Sequence, residues 1–333
     1  MDKRTTLKAA ALVALALATG IAQAQVKTIK FANQNAKGHP VVMGMEKFAE
    51  IVEQKSGGKL KVNVFPGGAL GSDQANVSAL QGGTLEMAAM NSGIFASVVK
   101  EFAVYDFPFL FGSPKEADAV ADGPFGQSLH QKLEEKGLVG LAYYELGFRQ
   151  LTNSKRPIAK VEDIAGLKLR VIPNPINVDW VTALGANPTP LPFPELYAAL
   201  EQKAVDGQEN PVATIQGAKL YEVQKYMTLT NHQYNPQSVV ISKKFWDALS
   251  ADEKKVLADA AHESAKYQRE QSRTAAAGIL DALKKAGMQV SELPPAEVAK
   301  MREKMKPVIA KHSANVGDAT VKALMTELDK ARK

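Results

Sequence analysis

The chain has 333 residues, no cysteine, and 41 Lys and Arg against 35 Asp and Glu, for a formal charge of +6. That length fits two domains of ordinary size, with cores large enough to stand without disulfides. The basic excess is mild, with no block of five like charges and no basic stripe interleaved with aromatics. This excludes nucleic acid as an expected partner and favours approach of small anions.

In chain order, Lys3, Arg4 and Lys8 precede an apolar run, Ala9 to Ala18, then Thr19, Gly20 and Ala22-Gln23-Ala24. This is the pattern of a secretory signal peptide, expected to be cleaved near Ala24 so that the mature chain starts near Gln25 or Val26. The run is too short to span a bilayer, which needs about 20 residues. No cysteine stands at the cleavage region for lipid attachment, so a diffusible, periplasmic protein is expected.

Val26 to Ala32 reads as a strand, and Val42, Met45, Phe48, Ala49 and Val52 recur at helical spacing. Leu60 to Phe65 is a second strand, stopped by Pro66-Gly67-Gly68. Val77 to Gly82 is helical and Leu85 to Met90 a short strand. This rhythm predicts an α/β domain. Ser113-Pro114-Lys115-Glu116 starts a helix, with serine as cap, proline at the first helical position and Glu116 reaching back to the cap amide. The strand Leu138 to Tyr144 follows.

A second α/β rhythm begins at Ile164. Leu167 to Ile172 is a strand, Val178 to Leu184 a helix, Pro188 to Pro192 extended, Pro194 to Gln202 helical, and Ala204 to Gly207 a short strand and turn. Ser250-Ala251-Asp252-Glu253 is a capping box, and helix formers continue to Gly287. Two readings of that segment stand: one helix of about 50 Å bracing both domains, or two helices broken near Gly278.

The histidines His39, His130, His232, His262 and His312 show no metal-ligand spacing. There is no Gly-x-Ser-x-Gly elbow, phosphate-binding loop or dinucleotide fingerprint. A binding protein rather than an enzyme is expected, with no metal and no cofactor.

Arg149 follows an apolar strand within Gly147-Phe148-Arg149-Gln150-Leu151-Thr152-Asn153. Arg170 lies near the carboxyl end of its strand, where open α/β sheets bind ligands. A guanidinium there matches a carboxylate with two parallel bonds. The alternative for Arg170 is a solvated strand face. In Val205-Asp206-Gly207-Gln208-Glu209-Asn210-Pro211, Asn210 can serve an anion at a helix start, or simply cap it.

These stretches, with Gly166-Leu167-Lys168-Leu169-Arg170-Val171, Leu184-Gly185-Ala186-Asn187-Pro188-Thr189-Pro190, Leu229-Thr230-Asn231-His232, Gly38-His39-Pro40 and Asp106-Phe107-Pro108-Phe109-Leu110, span nearly the whole mature chain. In them the chain resembles the solute-binding proteins of TRAP (tripartite ATP-independent periplasmic) transporters, in the dicarboxylate- and sialic-acid-binding group. The resemblance implies a periplasmic-binding-protein-like α/β fold, two lobes joined by a hinge and a long bridging helix. It divides the chain into residues 25–147 plus about 236–275 (lobe I) and 148–235 plus about 276–333 (lobe II).

It also implies an organic anion held between closing lobes and passed to a TRAP-type membrane permease by a protein expected to be monomeric. Arg170 would be the main carboxylate clamp, Arg149 a second cationic contact, and Asn210 a hydrogen-bond partner of the same carboxylate. Gln34 and Asn91 would meet the rest of the ligand, and Glu209 counts with the site. Asn174, with Asn177, Asp179 and Trp180, would line the pocket and tune ligand choice. Sialic-acid binders tend to carry an acidic residue where Asn91 stands, and Ile172 to Asn177 departs from their pattern, which argues against sialic acid itself. A sugar acid suits two arginines and several amides. A four-carbon dicarboxylate, an enzyme acting on carboxylated sugars and a sensor module are the alternatives.

Overall fold

Five helices of the chain begin on a proline, at Pro40, Pro114, Pro124, Pro175 and Pro295. At that position the missing N–H costs nothing and the fixed φ is already helical. The computed structural model describes residues 26–333, so the signal peptide expected over 1–24 lies outside the described residues. The first part runs β1 (Lys27–Ala32), α1 (Pro40–Ser56), β2 (Leu60–Phe65), α2 (Asp73–Gly82) and β3 (Met87–Asn91). Two 3-10 segments, Ser92–Ser97 and Lys100–Asp106, lead to α3 (Pro114–Asp122), α4 (Pro124–Glu134) and β4 (Leu138–Phe148). Then come β5 (Gln150–Asn153), β6 (Lys168–Val171), α5 (Pro175–Ala183), β7 (Asn187–Pro190), α6 (Leu196–Glu201), β8 (Gly207–Asn210), α7 (Val212–Gly217) and β9 (Tyr226–Leu229). The chain ends with β10 (Tyr234–Ser242), α8 (Lys243–Asp247), α9 (Ala251–Lys285), β11 (Gln289–Glu292), α10 (Pro295–Val316) and α11 (Asp318–Ala331).

Two sheets organise these elements, in the orders β2-β1-β3-β10-β4 and β11-β9-β5-β8-β6-β7. β1 is parallel to both β2 and β3, and β10 runs antiparallel between β3 and β4. In the second sheet β6 is parallel to β7 and β8, while β5 is antiparallel to β8 and β9. The chain passes between sheets from β4 to β5, from β9 to β10, and through α9. The two α/β lobes expected from the sequence are these two sheets with their helices.

α9 is a single helix from Ala251 to Lys285, about 50 Å long, so the reading with a break near Gly278 does not hold. A side chain at Gly278 would meet nothing within 4 Å, and the helix runs through it. Its start carries the full capping box between Ser250 and Glu253. Leu257, Ala260 and Ala261 bury in a core with Phe31, Phe48 and Tyr144 of the first lobe, and Leu283 packs with Leu200 and Met227 of the second. Close packing of α9 on α1 requires a glycine: a Cβ on Gly44 would lie 2.6 Å from the Gln268 Cβ.

Pro236 of β10 stands opposite Glu145 of β4 at a register shift, and proline offers no N–H to the ladder. The Gln268 side chain on α9 serves both backbone groups of Glu145: its Nε2 donates to Glu145 O at 2.8 Å in place of the missing N–H, and its Oε1 accepts from Glu145 N at 2.6 Å. The long helix is thereby fixed to the end of the strand that leads into the second lobe.

Several elements differ from the sequence reading. β4 extends to Phe148 because its last residues are still paired with β10. Glu116 of α3 accepts from Gly112 N at 2.9 Å, one residue before the cap amide. Asn210 is the last residue of β8 and Pro211 is the N-cap of α7, so Asn210 caps no helix. α10 packs against α5 and against the segment Lys100–Asp106, and α11 rests on α3 and α4 of the first lobe, although the sequence division places 276–333 in lobe II.

Candidate functional site

In parallel strands the residues just past the carboxyl ends converge on one edge of a sheet. Here the two such edges face each other. Asn33, Gln34 and Asn35 follow β1 and Asn91 ends β3 in the first lobe; Arg170 is near the end of β6 and Asn210 ends β8 in the second. One cavity between the lobes is lined by all of these, together with Asp73, Thr214, Phe193, Arg149 and Gln237. Of the site residues expected from sequence, Arg170, Arg149, Asn210, Asn91 and Gln34 line it, whereas Asn174 and Glu209 stand outside the lining.

Arg170 is 1% exposed, so the solvated-face alternative fails. Its Nε donates to Leu191 O at 2.8 Å, its guanidinium lies 5.8 Å from the Phe193 ring, and its Nη1 has no partner among the described residues. Burial pulls its pKa down to about 10, which leaves it a cation at neutral pH. Asn91 accepts from Gly93 N at 3.1 Å and leaves its Nδ2 unpartnered. Gln34 donates to Gly71 O at 2.9 Å and leaves its Oε1 unpartnered.

Asp73 is absent from the sequence reading. It follows the cap Ser72 at the first position of α2, where an acidic residue merely complements the helix dipole. In the fold its Oδ1 is sealed from solvent without a hydrogen-bond partner among the described residues. Burial pushes its pKa up to about 7, against the pull of Arg170. Nothing in the local sequence marks it, because the groups that act on it, Gln34 after β1 and Arg170 on β6, are distant in sequence.

Arg149 is fully buried and already engaged. Its Nε and Nη2 form a fork on the Glu209 carboxylate, with Nη2 at 2.8 Å from Oε1; Nη2 also donates to Glu209 O at 2.6 Å, and Nη1 donates to Asn235 Oδ1 at 3.0 Å. His232 Nε2 lies 3.3 Å from Glu209 Oε2, and its Nδ1 lies 2.8 Å from the Thr230 hydroxyl. Burial alone would raise the Glu209 pKa, but Arg149 and His232 hold it at about 2. Glu209 therefore neutralises and orients Arg149 from behind.

Asn174 and Asn177 turn to Asp106: their Nδ2 atoms donate to its Oδ2 at 2.7 and 3.2 Å, and Asn235 donates to its Oδ1 at 2.9 Å. Burial pushes Asp106 up to about 6, opposed first by the Asn174 amide. Asp179 pairs with Lys311 and His312 on α10, at 2.7 and 2.6 Å, and Trp180 is fully buried against His232. None of these four lines the cavity. Their place in the sequence, just past the Arg170 strand, suggests a pocket role, but their side chains are taken by these contacts.

The chain matches the model of the bacterial extracellular solute-binding protein family 7 over residues 31–315. It is 37% identical over 264 residues to the 2,3-diketo-L-gulonate-binding periplasmic protein YiaO of Escherichia coli, covering 79% of this chain and 80% of that one. The crystal structure of the sugar acid binding protein DctPAm of Advenella mimigardefordensis, in complex with galactonate, superposes with a TM-score of 0.90 at 44% identity, over 92% of this chain and 99% of that one. A TRAP periplasmic solute-binding protein of Ochrobactrum anthropi, with its C-terminus bound in the ligand-binding pocket, is 57% identical with a TM-score of 0.82, over 93% and 97%. With two sheets facing across a cavity that holds a buried guanidinium, the chain belongs to the bacterial extracellular solute-binding protein family 7, the solute-binding proteins of TRAP transporters.

Proposed function

We propose that this protein captures a monocarboxylate bearing several hydroxyls, a sugar acid, between its lobes and presents it to a TRAP membrane permease. The observation that carries this reading is the set of sealed, unpartnered atoms on the cavity residues: donors on Arg170 Nη1 and Asn91 Nδ2, acceptors on Asp73 Oδ1 and Gln34 Oε1. Each such group left unpaired costs about 1–3 kcal/mol, so a ligand that supplies the complements is favoured. A carboxylate supplies acceptors to Arg170, with Asn210 beside it. Hydroxyls supply donors to Asp73 and Gln34. A fully ionised dicarboxylate has no proton to give the Gln34 Oε1, and because Glu209 neutralises Arg149, a second carboxylate would have to share Arg170 with the first.

Capture involves no bond-making. In the open form Arg170 takes the carboxylate, and closure is favoured only by contacts that exist in the closed form. Water exclusion then strengthens the charged bond. The galactonate and diketogulonate named for the relatives are acids of this class. Lobe I then comprises residues 25–147 with about 236–275 and lobe II residues 148–235 with about 276–333, with α11 crossing back to rest on lobe I; the leader is removed near Ala24, and the mature protein acts as a monomer. Calorimetry with galactonate and succinate tests the reading. Galactonate is expected to bind at least tenfold more tightly, and a preference for succinate overturns it.

A further inference from the structure

Beside the cavity a directed chain of hydrogen bonds crosses from one lobe to the other. Val41 N donates to His39 Nδ1 at 3.1 Å, which caps α1 and fixes the tautomer: the ring proton sits on Nε2. Nε2 then donates to Thr214 Oγ1 of α7 at 3.2 Å, and the Thr214 hydroxyl donates onward to Asn35 Oδ1 at 3.3 Å. Asn35 in turn donates through N and Nδ2 to Asn33 Oδ1, at 2.7 and 3.0 Å, and Asn33 Nδ2 donates to Ala89 O at 2.6 Å. Every donor meets an acceptor, and His39, Asn35 and Thr214 are each about 95% buried. His39 and Asn35 belong to the first lobe and Thr214 to the second. Thr214, Asn35 and Asn33 line the cavity, while His39 does not.

We infer that His39 is a positioning residue for capture: through Thr214 it clasps the lobes in the closed form and so sets how long any bound solute is retained, without touching the solute. The inference rests on the capture reading above. Burial holds the ring neutral, with its pKa pulled down to about 3, as the donor-to-acceptor direction of the chain requires.

The test uses His39→Asn, which keeps an acceptor for the α1 cap but cannot reach Thr214, with Thr214→Val and the double variant. Stopped-flow fluorescence with galactonate, glucuronate and succinate gives rates for each acid that binds. A lost neutral hydrogen bond predicts roughly two- to tenfold faster dissociation, by the same factor for every acid, with association almost unchanged. The double variant is expected to be no worse than the more affected single one. Unchanged dissociation, acid-specific losses, or losses that multiply in the double variant overturn the inference. The chain has no cysteine, so spin labels at Glu50→Cys and Glu201→Cys also report the closed population of the unliganded protein. If none of the acids binds the wild type, the functional reading falls, and the clasp is judged on the labels: a smaller closed population in His39→Asn upholds it, and equal populations overturn it.

Discussion

Arg170 and Asp73 meet at one cavity from opposite lobes, each with a sealed polar atom that no protein group satisfies. Their charges attract, yet they make no direct hydrogen bond. The space between them asks for a molecule that is an acceptor at one end and a donor at the other, and the free energy left unclaimed there favours ligand over empty site.

Arg170→Ala removes a cation whose role is met only by the ligand. Affinity for the bound acid is expected to fall at least about a hundredfold, since losing one member of a desolvated pair costs about 3–5 kcal/mol. The unliganded protein loses much less, because the guanidinium is buried with an orphan nitrogen. Calorimetry and urea unfolding on one preparation separate the two.

Asp73→Asn should narrow the preference for a sugar acid over succinate, because the amide brings donors where the carboxylate brought an acceptor. Its effect on stability depends on pH. The folded-state pKa of Asp73, about 7, lies above its unfolded value, so its contribution is fully present below the unfolded pKa and is lost as pH rises through 7. The variant is therefore expected to be more stable than the wild type at pH 8, with the gap shrinking toward pH 5, in urea midpoints of the unliganded proteins.

Glu209→Gln leaves the Arg149 guanidinium buried without its counter-charge and offers one acceptor oxygen where Arg149 and His232 share two. A loss of about 3–5 kcal/mol in unfolding free energy is expected, together with weaker ligand binding. A variant as stable as wild type would show that Arg149 finds another partner.

Asn174→Ala distinguishes a ligand contact from a structural one. Its amide serves Asp106, so stability should drop by about 1–3 kcal/mol while the ratio of affinities for two acids holds. A changed ratio would return Asn174 to the pocket.

Gln268→Leu strands the N–H and C=O of Glu145 opposite Pro236. With two buried backbone groups unpaired, at about 1–3 kcal/mol each, this should be among the most destabilising changes in α9. Gly278→Ala on the same helix should stabilise by up to about 1 kcal/mol, since the position is helical and open. Chemical denaturation reads both.

The first parallel strands and the strand of Arg170 were legible because alternation and capping serines are local signals. β8 lies three residues later than the strand read at Ala204 to Gly207, so Asn210 is a strand end and not the helix start its sequence suggests. β10 was not legible: the sequence reading names no element over 234–242, because Pro236 and its polar neighbours carry no strand pattern, and the bulge and Gln268 accommodate them in a central strand. Asp73 was hidden by a first-turn position that explains an acidic residue without any site. Asn174 was misplaced because its partner Asp106 is 68 residues away, and no local pattern tells a pocket amide from one that serves a distant carboxylate.

The position of β10 also governs the order of folding. It lies between β3 and β4, so the first sheet stays incomplete until residue 242 has emerged, and α9, which covers that sheet, comes later still. Neither half of the molecule can finish on a growing chain. Contacts this distant along the sequence close slowly. A polypeptide so arranged remains threadable until its synthesis is nearly done, which suits passage through a membrane channel before the final structure sets.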